Sequence, residues 1–258
     1  MSQFNQQPIR LMAGQNNTMQ SSSSAFKSDV YDRGSAAAQM MSQTLSALEV
    51  PHTVLHFEEG DILFNENETP KGLYLLKSGC IKVFVNRENS RGRTTSPEYV
   101  TKLVSPGEVF GYKALVRKIN TKSFAKSVKS SVVWLYSKES IMEILSQSHP
   151  IVQNMLEQAV HDIENYEKTS QLHYLASVQE RIAYQLITLS DRFGVQTAAG
   201  VSINLKLTRN EFAQLASTIN ESLSRHLTEF KNEGLIEISG KEIIIKNRAG
   251  LAAKSGNF

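Results

Sequence analysis

The segment Leu207–Phe230 restricts the fold more than any other part of the chain. Thr208 stands three residues before Glu211, the spacing of a reciprocal N-terminal helix cap, and Phe212, Leu215 and Ala216 supply that helix's apolar face. Only Ser217-Thr218-Ile219 separates it from a second helix, Asn220-Glu-Ser-Leu-Ser-Arg-His-Leu-Thr-Glu-Phe230. There Leu223, Leu227 and Phe230 recur at spacings of four and three, one apolar stripe. Thr218 and Glu221 repeat the capping spacing, with Asn220 as a competing cap. Glu221, Ser224 and Arg225 fall on the other side of the first turns. Arginine can give two hydrogen bonds to the O6/N7 edge of guanine, glutamate can accept from cytosine N4, and serine can bond either kind of edge. Alone, the stretch fits a helix in the major groove and a solvated surface helix equally well.

The flanks decide between them. Gly234 ends the second helix. Leu235–Ser239 and Glu242–Ile245 then form a hairpin around Ser239-Gly-Lys241. Helix, tight turn, helix and hairpin make a winged helix-turn-helix, which sets its second helix in the major groove of double-stranded DNA and the hairpin beside the backbone. The expected contacts are Glu221, Ser224 and Arg225, with Asn220 and Ser222 on the same helix and Thr208 and Arg209 at the start of the first. From Ser177 to Phe258 ten Lys/Arg face eight Asp/Glu. So weak an excess leaves much of the useful affinity to base contacts and dimer symmetry, since phosphate contacts alone are sequence-independent and salt-sensitive.

Upstream, 258 residues leave room for a second domain. Residues 1–34 are rich in Gln, Asn and Ser, including Ser21-Ser-Ser-Ser24, and read as a disordered leader. A short helix is expected over about Ser35–Leu48. Strands follow at Val54–Phe57, Asp61–Phe64, Leu73–Lys77, Ile81–Val85, Tyr99–Val104 and Val132–Tyr136, with turns at Glu59-Gly-Asp61, Lys77-Ser-Gly79 and Ser105-Pro-Gly107 and a polar insertion at Asn86–Glu98. Short strands at this spacing make a sandwich or barrel-like roll. A short helix over Ser137–Ser146 stops at His149-Pro150, and a long one runs on to Tyr174. Val152, Leu156, Ala159, Ile163 and Tyr166 repeat along it at alternating four and three, a heptad stripe suited to a parallel dimer seam. Ser177–Arg192 forms a further amphipathic helix, Gly194–Gly200 a loop and Val201–Leu207 a strand.

The fold class is therefore α+β. A β-roll over residues 35–148 is followed by a dimerisation helix and hinge over 149–176 and a winged helix-turn-helix over 177–258. Cys80 alone supports neither a disulfide framework nor a cysteine-only metal or iron–sulfur site, and reads as a buried strand residue. No apolar run approaches the roughly 18 residues of a membrane span, and no secretory signal is visible. These point to the cytoplasm and to no membrane contact. His52, His56, His149, His161 and His173 show no metal-ligand spacing. No Walker A loop, His-Glu-x-x-His or nucleophile elbow appears, so an enzyme is not expected.

The order of parts from Val54 to Asn247 resembles the cyclic-AMP receptor/fumarate-nitrate regulator (CRP/FNR) family of bacterial transcription factors. Glu59-Gly-Asp-Ile-Leu-Phe64, Leu73-Tyr-Leu-Leu-Lys-Ser-Gly79 and Ser105-Pro-Gly-Glu-Val-Phe-Gly111 look like its effector-binding, cyclic-nucleotide-binding-like jelly roll. Leu207-Thr-Arg-Asn-Glu-Phe-Ala-Gln-Leu-Ala216 looks like its DNA-binding motif. Glu221-x-x-Ser224-Arg225 has the form of the FNR branch, which reads half-sites resembling TTGA. By that resemblance Arg225 bonds guanine, Glu221 accepts from cytosine and Ser224 contacts a thymine or its neighbour. Asn220 stands where the cyclic-AMP branch carries an extra arginine. The resemblance also implies a homodimer on an inverted-repeat operator and, for an activator, contact with RNA polymerase. The cysteines of that branch's oxygen sensor are absent.

The effector pocket departs from the family. Its cyclic-AMP binders carry Gly-Glu and, about ten residues on, Arg-Ser-Ala. Here the matching residues are Gly111-Tyr112 and Lys122-Ser123-Phe124. Tyr112 cannot accept as a carboxylate does, Lys122 lacks the guanidinium fork, and Phe124 fills space. The helix pair that touches the adenine aligns onto Tyr166-Glu167. Ordinary cyclic-AMP binding is not expected. Gly111–Ser130 nonetheless carries six Lys/Arg and no Asp/Glu. That fits a solvated basic face, an anionic effector such as another nucleotide, or a contact with DNA or a partner. A rival function is an effector-binding module acting on a protein partner, which would need no helix-turn-helix.

Overall fold

The structure is a computed structural model, and it describes residues 40–86 and 98–256. The leader, the start of the expected 35–48 helix and most of the Asn86–Glu98 insertion lie outside them. Helix α1 occupies residues 40–47. Strands β1 (Thr53–Phe57), β2 (Ile62–Phe64), β3 (Gly72–Val85), β4 (Tyr99–Val104) and β5 (Val109–Phe110), short helix α2 (Tyr112–Arg117) and strand β6 (Phe124–Ser137) build the roll. The sheet order is β1-β6-β3-β4, with β2 on β6 and β5 on β3.

Sequence reading expects two strands, Leu73–Lys77 and Ile81–Val85, separated by a turn at Lys77-Ser-Gly79. They are one 14-residue strand, β3, paired antiparallel with an equally long β6. The register shifts three times between Leu76 and Ile81, so the polar stretch is a bulged bend and not a chain reversal. Gly79 sits at φ +99°, and a side chain there would run into Ser131 on β6. Ser131 Oγ accepts from the Cys80 amide at 3.1 Å and donates to Lys129 O at 2.6 Å, which ties the bend across the strands.

Successive strand residues point to opposite faces, and both faces of β3 are buried. Leu73 and Leu75 join Val109, Leu115, Tyr136, Ile141 and Ile151 in a core beneath the helices. Tyr74, Leu76 and Ile81 join Phe64, Phe110 and Val133 inside the roll.

Helix α3 (Lys138–Gln147) begins on the Ser137 cap, and α4 (His149–Leu175) carries Pro150 in its first turn. Helix α5 (Val178–Phe193) starts on a Ser177/Glu180 capping box. The expected Gly194–Gly200 loop is instead the first half of a hairpin, β7 (Gly194–Thr197) and β8 (Gly200–Ile203), which also shortens the expected Val201–Leu207 strand. Helices α6 (Arg209–Leu215) and α7 (Asn220–Asn232), hairpin β9 (Ile236–Ser239)/β10 (Glu242–Ile245) and α8 (Arg248–Lys254) complete the chain. The wing is half of a four-stranded sheet, β7-β8-β10-β9, over a core that includes Ile182, Leu186, Phe212, Leu223, Leu227, Phe230 and Ile243.

That core does not stop at the domain boundary. Cys80, Val100, Leu103 and Val128 of the roll belong to the same buried cluster. Arg192 on α5 donates to Leu103 O at 2.7 Å, Ser105 Oγ at 2.9 Å and Glu108 at 3.0 Å.

Candidate DNA-recognition helix and effector pocket

The first helix of the motif starts as its spacing predicts. Thr208 Oγ1 accepts from the Glu211 amide at 3.2 Å, and Glu211 Oε2 accepts from the Thr208 amide at 2.8 Å. The other carboxylate oxygen of Glu211 accepts from Lys82 of β3 at 2.5 Å. Lys82 is buried and also pairs with Glu98, so the roll grips the helix-turn-helix by its capping residue. Burial works against both charges and is outweighed. The Lys82 and Thr208 bonds lower the Glu211 pKa, and the two glutamates raise that of Lys82.

The turn between α6 and α7 places Ser217 at φ +49°, a left-handed conformation unfavourable for a residue with a Cβ. Sequence reasoning missed the side chain that holds it. Arg181 on α5 donates to Ala216 O at 3.1 Å, Ser217 O at 3.0 Å and Ala176 O at 2.7 Å. One guanidinium thus joins the end of α4 to the turn that launches α7. Its five-donor fork is suited to that, but no spacing rule marks such a role.

Helix α7 buries Leu223, Leu227 and Phe230. Neither Thr218 nor Asn220 caps it. Ile219 occupies the N-cap in extended conformation, with no side-chain cap bond, because the turn ends one residue later than Thr218 and Asn220 is already helical. Asn220, Glu221, Ser224 and Arg225 are exposed, Ser222 is half-buried, and Thr208 and Arg209 are exposed at the start of α6. The Arg225 guanidinium lies 3.4 Å from His226 Nε2 and 4.0 Å from Glu229, and His226 Nδ1 lies 2.6 Å from Glu229 Oε2. Among the described residues Arg225 is held at its own helix surface, two-thirds exposed and able to exchange these contacts for a base.

The anticipated effector residues are only partly brought together. Gly111 caps α2 with φ +81°. Lys122 is exposed, Ser123 is half-buried, and Phe124 stacks on Phe84 with centroids 5.2 Å apart. Tyr166 and Glu167 are exposed on α4. The buried Tyr112 turns elsewhere, and its hydroxyl donates to Asp162 Oδ2 at 2.7 Å. Lys102 donates to Asp162 Oδ1 at 2.6 Å, Lys113 lies 3.3 Å from Oδ2, and Gln158 donates to Oδ1 at 3.2 Å. Burial alone would raise the Asp162 pKa. Lys102, with Tyr112 and Lys113, overrides it and holds the carboxyl at about 2. Burial and the Asp162 charge push the Tyr112 phenol far up, so it stays a donor.

A readable signal for Asp162 existed. Ile151, Met155, Gln158 and Asp162 form a second stripe at spacings of four, three and four, shifted by one residue from the expected dimer seam. Ile151, Met155 and Gln158 are buried. Of the seam residues, Val152, Leu156, Ile163 and Tyr166 are exposed, whereas Ala159 packs toward the roll and Val160 is exposed in its place.

Among the described residues no helix is long and apolar enough to cross a membrane, and no cluster of His, Cys, Asp and Glu is arranged to hold a metal ion.

Family models agree with this architecture in both halves. Residues 54–148 match the cyclic nucleotide-binding domain, and residues 180–254 match the Crp-like helix-turn-helix domain. The chain belongs to the CRP/FNR family of transcription regulators. Members of this family are regulators and not enzymes, bind DNA through the helix-turn-helix and usually act as dimers. The fumarate and nitrate reduction regulatory protein of Salmonella typhi is 26% identical over 78% of this chain and 77% of its own length. The CRP-like cAMP-activated global transcriptional regulator of Mycobacterium tuberculosis is 24% identical over 82% of this chain and 92% of its own. FixK2 from Bradyrhizobium japonicum shares the fold with a TM-score of 0.68 at 19% identity, covering 80% of this chain and 98% of its own.

Proposed function

We propose that this CRP/FNR regulator binds, as a homodimer, an inverted repeat with TTGA-like half-sites, and that it does so without cyclic AMP. The exposed Glu221, Ser224 and Arg225 above a fully buried Leu223/Leu227/Phe230 stripe carry the first part. Arg225 bonds a guanine O6/N7 edge, Glu221 accepts from a cytosine N4, and Ser224 takes a neighbouring base. Asn220, Ser222, Thr208 and Arg209 sit beside them for further base and backbone contacts. The apolar row Val152, Leu156, Val160, Ile163 and Tyr166, each more than two-fifths exposed, supports a seam along α4. Two copies of α7 then sit in successive major grooves, about 34–36 Å apart.

The second part rests on Tyr112. At the place where cyclic-AMP binders of the family carry a glutamate, its hydroxyl is engaged with Asp162, and the Lys102 ammonium already has a carboxylate partner. An anionic effector at this place would have to displace a carboxylate held by Lys102, Tyr112, Lys113 and Gln158.

Arg225→Ala should abolish specific operator protection while the protein sediments as the wild-type dimer. An unchanged footprint would refute the recognition reading. Operator affinity should be the same with and without cyclic AMP; a tenfold gain on its addition would refute the second part.

A further inference from the structure

We infer that Ile219 is a specificity residue that packs on a thymine C5-methyl in each half-site, an assignment that rests on the reading of α7 as the groove helix. Ile219 stands four residues before Leu223 and eleven before Phe230, both fully buried. A helical continuation would put it on that apolar side. The backbone instead extends at Ile219, φ −102° and ψ 161°, and leaves the residue 63% exposed.

The N-cap is also a poor place for isoleucine. Serine, threonine, asparagine or aspartate there would bond a free amide of the first turn, and isoleucine cannot. No side-chain cap bond is made at this end of α7, in contrast to α5 and α6, which both carry full capping boxes. The chain forgoes a cap and exposes a large apolar group at one and the same residue.

That residue directly precedes Asn220 and Glu221, at the end of the helix whose side chains approach base edges. Among the bases, thymine is the one that presents an apolar group, its C5-methyl, in the major groove. Glu221, Ser224 and Arg225 offer polar groups to base edges, and none of them ends in an apolar group suited to that methyl. Ile219 supplies one of the right chemistry at the right end of the helix.

The test uses the full-length protein and an operator selected from a random inverted-repeat library, with each thymine of the half-site replaced in turn by deoxyuridine. That replacement removes the methyl and keeps every hydrogen-bonding group. For one thymine the wild type should lose about fourfold in affinity, the factor expected for burying a single methyl group. Ile219→Ala should bind the thymine operator correspondingly less tightly and be indifferent to the exchange at that base. Ile219→Ser provides a better cap, so it should melt at or above the wild-type temperature and still lose the discrimination. Retained discrimination in either variant, or a wild type that binds its operator but ignores every exchange, overturns the assignment of Ile219. A wild type that selects no inverted repeat overturns the recognition reading itself.

Discussion

The Asp162 side chain on α4 is 9% exposed and sits among donors from three segments: Lys102 on β4, Tyr112 and Lys113 on α2, and Gln158 one turn back on its own helix. An ionised carboxylate out of water is tolerated when its oxygens are bonded and its charge is balanced. Both conditions hold here. Losing one donor should therefore be costly but survivable. Tyr112→Phe removes a bond to a charged acceptor without changing shape, and should cost about 1.5 kcal/mol, roughly 3–6 °C in Tm for a chain of this size. Asp162→Asn should cost more, because Lys102 then loses its carboxylate partner at 2.6 Å and keeps Glu108 at 4.0 Å. A Tyr112→Phe protein with an unchanged melting curve would mean that the phenol finds its partner in solvent, and the pocket would not be filled as described.

Among the elements, the short turn between α6 and α7 depends most on something outside itself. Ser217 is held left-handed, α7 starts without a side-chain cap, and the Arg181 fork bonds the carbonyls on either side of the strain. Arg181→Met should destabilise the protein by about 2–3 kcal/mol. Amide exchange at Thr218, whose N–H bonds Ala213 O, should speed up well before that of the α5 interior. Arg181→Lys should behave almost the same, since a single ammonium cannot reach three carbonyls in a fixed plane. Full protection of Thr218 in either variant would remove Arg181 from this role. The same element shows what a sequence can disclose. Thr208 and Glu211 are local and three apart, so their capping box is readable, as is the Leu223/Leu227/Phe230 stripe. Arg181 lies 35 residues from Ala216, and no periodicity links them. Likewise Lys77-Ser78-Gly79 has the composition of a turn, and only pairing with β6 across Ser131 makes it a bend in one long strand. At the candidate pocket the departures of Tyr112, Lys122 and Phe124 are readable, but the partner of Tyr112 is 50 residues away.

At the scale of the whole molecule, charged contacts add to the apolar clusters that join the parts. Lys82 joins the roll to α6, Arg192 joins α5 to β4 and Glu108, and Asp162 joins α4 to the roll. Two of the carboxylates involved, Asp162 and Glu211, titrate below their ordinary values of 3.8 and 4.5 in the folded chain. The unfolded chain therefore binds protons more readily than the folded one in that range, and stability must fall with pH. The Asp162 contribution is complete above about pH 5 and disappears as the pH drops through its folded value of about 2. The difference between the two states is worth about 2 kcal/mol. Glu211 adds to it in a window that starts slightly higher. Melting temperature between pH 6 and pH 2.5 should accordingly fall more steeply for the wild type than for Asp162→Asn, whose curve lacks the Asp162 share. Lys82→Met removes the cation that holds Glu211 down and should flatten the upper part of the curve. The wild type should unfold in one calorimetric transition and Lys82→Met in two, because the roll then loses its hold on the capping residue of α6. Wild-type and Asp162→Asn curves that run parallel through this range would show that Asp162 is not bound by its neighbours in solution. One undivided transition in Lys82→Met would show that the shared apolar patch of Cys80, Val100, Leu103 and Val128 is enough to keep the two halves together.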